Sequence, residues 1–410
     1  MFGWEFPPVI SGGLGTACFG LTKGLCSHGI DVTFVIPTLK GMHGHTHVNL
    51  VGADEVHEIH AENLSLVKVD SVLMPYMEPR DYESRVNYAR YKAGLKLQDI
   101  SGAYGPDLMS EIARYSVVGG ILAEQNEFDV IHAHDWLTFP AGIEAKKRTG
   151  KPLIVHVHAT EFDRSGEHMN QDVYDIEKKG MEQADLIISV SHYTKNIITG
   201  KYGIQEDKIK VVHNAVEQDT TLERRHIPKA LDEKIVLFLG RITFQKGPDY
   251  FIEAAQRVIN RIPDVRFVMA GTGDMFPRMV ERMAELRIGK YFHFTGFLRG
   301  QDVEKIYAMS DLYIMPSVSE PFGIAPLEAM LYDVPVIISK QSGVSEVLDN
   351  AVKVDFWDVD RLADEIVDLL TNRDRVKHIV EQNPGQLESI KWEIAAEKVI
   401  SIYNKLGLRA

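Results

Sequence analysis

Cysteine is scarce, with two residues in a chain of 410. Cys18 and Cys26 fall in one helical pattern, where eight residues of helix would part them by roughly 12 Å, too far for a disulfide. A reducing, cytoplasmic compartment is the expectation. Long apolar runs are lacking too. Nothing approaches the about 20 residues that a membrane-spanning helix needs, and the opening MFGWEFPPVISGG has no basic region leading into an apolar core, so it does not read as a signal peptide. Positive charge is in deficit: Lys+Arg 45 against Asp+Glu 58 leaves a net charge of −13. That excludes general nucleic-acid binding, and an anionic small substrate would need basic residues gathered locally against the overall field. What remains is 45% hydrophobic and 25% charged, the composition of a globular protein long enough for two domains.

Short β-branched runs alternate with helical patterns along most of the chain. Strands are expected at 32–36, 130–133, 153–158, 186–190 and 209–213, then at 235–239, 265–270, 292–294, 312–315, 334–338 and 351–354. Helices are expected between them, notably over 15–28, 108–124, 171–183 and 193–201. This alternation predicts an α/β chain of two Rossmann-like, doubly wound domains facing across a cleft. The polar stretch 214–234, with Pro228, marks the junction, giving domains over 1–215 and 216–385. One amphipathic helix is expected over 386–408, within a closing segment 386–410 that packs back across the junction. A first strand has room only over 1–4, so it is short or the chain begins a few residues late. Residues 41–80 carry no readable function.

Several loops carry chemistry. Ser11-Gly12-Gly13-Leu14-Gly15 opens a helix, where glycines admit a ligand and free N–H groups can face an anion. It has neither Walker nor dinucleotide-fingerprint spacing. His132-Ala133-His134-Asp135 and His156-Val157-His158 end successive strands, each pair sharing one face. A metal could sit there with Asp135 and Glu161, but no HExxH or cysteine ligands accompany them, and a cleft binding a polyhydroxylated ligand is the favoured use. Gly240-Arg241 through Lys246-Gly247 follows a strand and sets two cations five residues apart, a fork and a point charge suited to phosphate. Gly271-Thr272-Gly273-Asp274 reads as a simple bend. In Glu320-Pro321-Phe322-Gly323-Ile324-Ala325-Pro326-Leu327-Glu328, Glu320 lies at the cleft mouth and Glu328 one turn into the next helix. Asp358-Val359-Asp360 reads as helix capping rather than a metal-binding pair.

WEFPP…GGLG, HAHDW, HVHATEFDR, GRITFQKG and EPFGIAPLE, in that order, resemble the retaining GT-B glycosyltransferases of families 4 and 5 (group 1), which include glycogen and starch synthases. The resemblance covers nearly the whole chain and implies a hexosyltransferase that uses a nucleotide-sugar donor, with no metal or other cofactor. It implies that Arg241 and Lys246 hold the donor diphosphate, that Glu320 and the backbone of Phe322, Gly323 and Ile324 bind the sugar, and that Glu328 binds the ribose. His158 and Asp135 match residues beside the transferred sugar, and Gly12 and Gly13 the loop over the diphosphate. The implied function is glucosyl transfer from UDP- or ADP-glucose to an α-glucan, as in glycogen synthase. The alternative is an α-glucosyl- or α-mannosyltransferase making a small glycoside or an envelope polysaccharide. Ile10 stands where glycogen and starch synthases usually carry lysine, which disfavours ADP-glucose and favours a UDP-sugar, or a relative with another sugar and acceptor.

Overall fold

A computed structural model describes residues 1–7, 12–37, 46–53, 59–61, 64–66, 106–217 and 233–407. Ile10, most of 41–80 and most of the 214–234 junction lie outside them. In the first half, β1 (Thr33–Ile36) pairs in parallel with β2 (Asn49–Gly52). A separate antiparallel hairpin follows, β3 (Ile59–Ala61) with β4 (Leu64–Leu66). Then come β5 (Ile131–His134), β6 (Leu153–Val157), β7 (Leu186–Ser189) and β8 (Ile209–Val211), parallel neighbours in that order. The opening residues fill the gap between the two groups: Phe2 bridges Val35 on one side and Ala133 on the other. The short first strand is therefore one bridge wide at the middle of the sheet, and the chain leaves it toward opposite edges.

Strands buried on both faces need helical cover on both. The first half supplies α1 (Gly13–Ser27), α2 (Pro106–Gln125), α3 (Phe139–Thr149), α4 (Glu161–Ser165), α5 (Gln171–Gln183) and α6 (His192–Tyr202). Local chemistry fixes their ends. Asn170 caps α5 by accepting from Asp172 N and Val173 N, and Thr160 and Asp163 close a capping box on α4. Both cysteines lie in α1 as free thiols.

The second half is one six-stranded parallel sheet. Its strands are β9 (Lys234–Leu239), β10 (Val265–Ala270), β11 (Phe292–Gly296), β12 (Leu312–Met315), β13 (Val336–Ser339) and β14 (Val352–Val354), in the order β11-β10-β9-β12-β13-β14. Around it lie α7 (Pro248–Ile259), α8 (Phe276–Leu286), α9 (Gln301–Met309), α10 (Ala325–Leu331) and α11 (Val359–Thr371). β10 and β12 flank β9, so the winding reverses at the carboxyl end of β9, the place where open sheets bind ligands. Asp358 caps α11 through Arg361 N at 3.0 Å, and Asp360 pairs with Arg257 at 2.5 Å, so this acidic pair is structural.

The chain's end corrects one expectation. The single helix expected over 386–408 is two: α12 (Arg373–Glu388) takes its first residues, and α13 (Trp392–Lys405) begins after a break. α13 packs on α1 of the first half. Gly20 and Gly24 make room for it, since a Cβ at Gly20 would lie 2.2 Å from the Trp392 ring and one at Gly24 2.6 Å from the Trp392 carbonyl oxygen. A continuous apolar core runs from Phe34 and Ile188 through Val212 to Leu327 and Trp392, joining both sheets and α13. No helix among the described residues is long and apolar enough to cross a membrane.

Candidate active site

The reversal points of the two sheets open onto one cavity of about 510 Å3. The first half contributes Glu5, Gly12, Gly13, Asp135 and His158; the second contributes Arg241, Lys246, Glu320, Phe322, Gly323, Ile324 and Glu328. The residues expected to bind the donor and the sugar thus face the same space, whereas His132, His134, His156 and Glu161 do not line it. Arg164 and Arg299 add to the cations there. The local gathering of positive charge is real, but four carboxylates share the cavity, so it is mixed rather than basic.

Two close approaches build the second-half wall. Gly271, at φ +144, lets the ends of β10 and β9 touch: a Cβ there would sit 1.9 Å from the Gly240 carbonyl oxygen. The loop read as a simple bend is therefore the prop behind Arg241, and Ile242 N donates to Thr272 O at 2.9 Å. Gly323, at φ +99, turns the backbone between Glu320 and α10 in a conformation that favours glycine. Phe322 is buried, and its carbonyl accepts from Val344 N at 2.8 Å.

Lys246 Nζ donates to Glu320 Oε2 at 2.5 Å, and Ser317 Oγ donates to the same oxygen at 3.1 Å. The buried carboxylate and the ammonium thus hold each other in place, with the ammonium still at the cavity wall. Glu328 sits in the first turn of α10, where its Oε2 accepts from Tyr307 at 3.0 Å. Burial pushes its carboxyl up, against the pull of that hydrogen bond. Gly12 and Gly13 at the start of α1 face open space, since a Cβ on either would have no atom within 4 Å.

The four strand-end histidines form one array. His132 and His134 stack at 4.4 Å, and His156 and His158 at 4.3 Å. His134 Nδ1 lies 3.0 Å from His158 Nε2, and His132 Nδ1 lies 2.7 Å from the Tyr403 hydroxyl on α13. Two triplets, Cys18/His134/His158 and His132/His134/His156, bring candidate ligand atoms within 4.8 Å of one another. Imidazole lone pairs lie in the ring plane, so the near-parallel rings of His132, His134 and His156 do not aim at a common ion without turning. Burial holds His158 down at about 3, leaving a neutral ring whose Nδ1 has no protein partner among the described residues.

Asp135 adopts φ 61 and accepts from His158 N at 2.7 Å and Ala159 N at 3.3 Å, so it fixes the backbone that carries His158. Burial pushes its carboxyl up to about 6, although Arg164 and the two N–H groups pull it down. Because the folded value exceeds the unfolded one, this group stabilises the fold at low pH and loses that contribution as pH rises through about 6. The charged form clamps His158, so activity should fall toward half near pH 6 without a fall in melting temperature from this group. Asp135→Asn keeps an oxygen acceptor and tolerates positive φ, and its pH–rate profile should lack that acid limb. An unchanged limb in the variant would assign the titration elsewhere.

The halves also grip each other behind the cavity. Ser191 Oγ donates to Pro321 O at 2.6 Å, and Ser319 Oγ donates to Asp163 Oδ1 at 2.5 Å. Glu346 accepts from His192 N and Tyr193 N at the start of α6 and pairs with His213 at 2.8 Å. Sequence reasoning missed these, as it missed Tyr307 behind the cavity wall and the Phe297–Arg299 loop that lines the cavity. Only the loop carried a signal, its place just after β11.

Residues 219–386 match the family described as Glycosyl transferases group 1, and residues 109–220 match Glycosyltransferase Family 4. The chain is 28% identical to an uncharacterized glycosyltransferase of Methanocaldococcus jannaschii, covering 98% of this chain and 97% of that one. It is 25% identical to a glycogen synthase of Mycobacterium tuberculosis, covering 85% and 80%. Among solved structures, sucrose-phosphate synthase from Thermosynechococcus elongatus superposes with a TM-score of 0.72 at 16% identity, over 98% of this chain and 95% of that one. Anabaena HepE in complex with UDP and glucose gives 0.68 at 16%, over 98% of each.

Proposed function

The chain belongs to the group 1 glycosyltransferases and has the GT-B fold, and from that premise we propose that it is a retaining hexosyltransferase moving glucose from a nucleotide-sugar to an α-glucan. The observation that carries this reading is the Arg241, Lys246 and Glu320 cluster facing Gly12, Gly13 and His158 across one cavity. Breaking an anomeric C–O bond leaves an oxocarbenium-like sugar and a nucleoside diphosphate. On this reading Arg241 and Lys246 stabilise the leaving charge, and no metal or other cofactor is required. Glu320, already engaged by Lys246 and Ser317, is better suited to bind hydroxyls and balance charge than to act as a nucleophile. That favours front-face attack, with the departing phosphate taking the acceptor's proton. The same reading divides the chain into an acceptor-side domain over 1–215, a donor domain over 216–385 and a closing segment over 386–410. The cavity draws on both domains, so catalysis would need them to close and exclude water.

The similarity to a glycogen synthase supports a glucan acceptor, and that to an alpha-maltose-1-phosphate synthase of Mycolicibacterium smegmatis supports a small phosphorylated product as the second reading. Isoleucine at position 10 and the UDP complex of HepE support a UDP-sugar. The test is a panel of UDP-, ADP- and GDP-sugars scored by nucleotide release, with glycogen, with monosaccharide phosphates and with no acceptor. Acceptor-dependent release with one donor is expected. Release that never depends on an acceptor would point to a hydrolase, a donor rearranged without nucleotide release would point to an epimerase, and inverted anomeric configuration in early product, read by NMR, would overturn retention.

A further inference from the structure

Tyr307 lies on α9, behind the cavity wall, and its side chain is 1% exposed. Its hydroxyl donates to Glu328 Oε2 at 3.0 Å, with Ala325 O as a longer second acceptor at 3.3 Å. The ring is held on two sides, stacked on Tyr332 at 5.9 Å and tilted against Tyr313 at 6.1 Å. A tyrosine clamped in this way has little freedom to follow a moving carboxylate, so the carboxylate must come to it. One oxygen of Glu328 is thereby committed to Tyr307, and because Glu328 also lines the cavity, its other oxygen is the one available to a ligand there.

A carboxylate offers about four lone-pair sites, and the vicinal 2′- and 3′-hydroxyls of a ribose are two donors at a fixed spacing. Which of them it can accept depends on how the carboxyl plane is turned. Resting on the nucleotide-sugar reading above, we propose that Tyr307 is a positioning residue: it fixes the rotation of Glu328 so that the other oxygen meets the ribose diol, making the site selective for ribonucleotides over deoxyribonucleotides. The chemistry is that of a charge-assisted hydrogen bond whose geometry is set before the ligand arrives. A mere packing role for Tyr307 would need the ring alone, and an isosteric phenylalanine would serve it equally well.

The hydroxyl has a second consequence. It opposes the upward push of burial on the Glu328 carboxyl. The other titratable groups around the pair are Tyr313 on β12 and Tyr332 after α10, and Glu320 acts on Tyr313. Removing the Tyr307 hydroxyl should therefore raise Glu328 further, and the loss of nucleotide binding should grow as pH falls.

The test uses the full chain, with UDP and 2′-deoxy-UDP as probes in calorimetric titrations, and ADP and GDP with their deoxy forms beside them. Tyr307→Phe should weaken the ribonucleotide by about tenfold, the size expected for losing a hydrogen bond to a charged group. The deoxynucleotide should lose much less, so the discrimination narrows, the acid limb of binding moves to higher pH, and kcat at saturating donor stays near wild type. In a Glu328→Gln background the same change should add little, and this second variant keeps the test decisive if Tyr307→Phe alone lowers the melting temperature. Equal weakening of both nucleotides, or no change in discrimination and pH profile, overturns the positioning role alone. A wild-type chain that binds none of the nucleoside diphosphates overturns the donor reading, and the inference with it.

Discussion

Arg241→Ala and Lys246→Ala are each expected to lower kcat by more than about a hundredfold, the usual cost of losing a preorganised donor to developing charge. The two cations reach the cavity from one loop at the carboxyl end of β9, where the sheet's winding reverses. Under the proposed reaction neither would be replaceable by solvent, because water at that wall would have to reorient as negative charge develops, whereas the side chains are already in place. Lys246 also holds Glu320 at 2.5 Å, so its removal leaves a buried carboxylate with Ser317 and loses some order on the sugar side. Lys246→Ala should then disturb both kcat and donor KM, while Arg241→Ala should act mostly on kcat. Steady-state rates with the best donor, beside melting curves to show that each variant is folded, make the check. Near-full activity in both folded variants would remove the diphosphate from this loop.

Much of this was legible in the sequence because the relevant signals are local. Strands β10 and β12 coincide with the expected 265–270 and 312–315, and α5 with 171–183, since β-branched runs and the capping Asn170 mark their ends. Arg241 and Asp135 lie just past strands, where parallel sheets present their ligand loops, but the full set of cavity residues could be named only through the family resemblance of the motifs that carry them. What was not legible is contact between distant positions. Glu346 reaching the start of α6, Ser191 holding Pro321, and Tyr403 meeting His132 join residues more than 120 positions apart, and no period or spacing marks such pairs. Tyr307 drew no reading at all, because a buried hydroxyl and a buried ring look alike in a pattern of hydrophobicity. The break at 389–391 was missed for a related reason: α12 and α13 are both amphipathic, and their turn contains neither glycine nor proline.

That last helix bears the other large effect. Trp392→Ala is expected to cost about 3–5 kcal/mol, the range for emptying a buried aromatic site. Trp392 is 6% exposed and fills the groove left by Gly20 and Gly24 on α1. The groove is backbone on one side, so it cannot collapse to fill the space, which puts the cost toward the upper end of that range. The consequences should not stay local. α13 carries Tyr403, whose hydroxyl is the partner of His132 Nδ1 inside the histidine array, and α1 begins at the Gly12-Gly13 loop of the cavity. Loosening the helix pair should therefore free α13 to proteolysis before the rest of the chain and reduce activity through both the array and the loop. Tyr403→Phe separates the two routes, since it removes the hydroxyl and keeps the packing. Its melting temperature should fall far less than that of Trp392→Ala, and a drop as large as the tryptophan's would mean that the hydrogen bond, rather than the filled groove, fastens the helix.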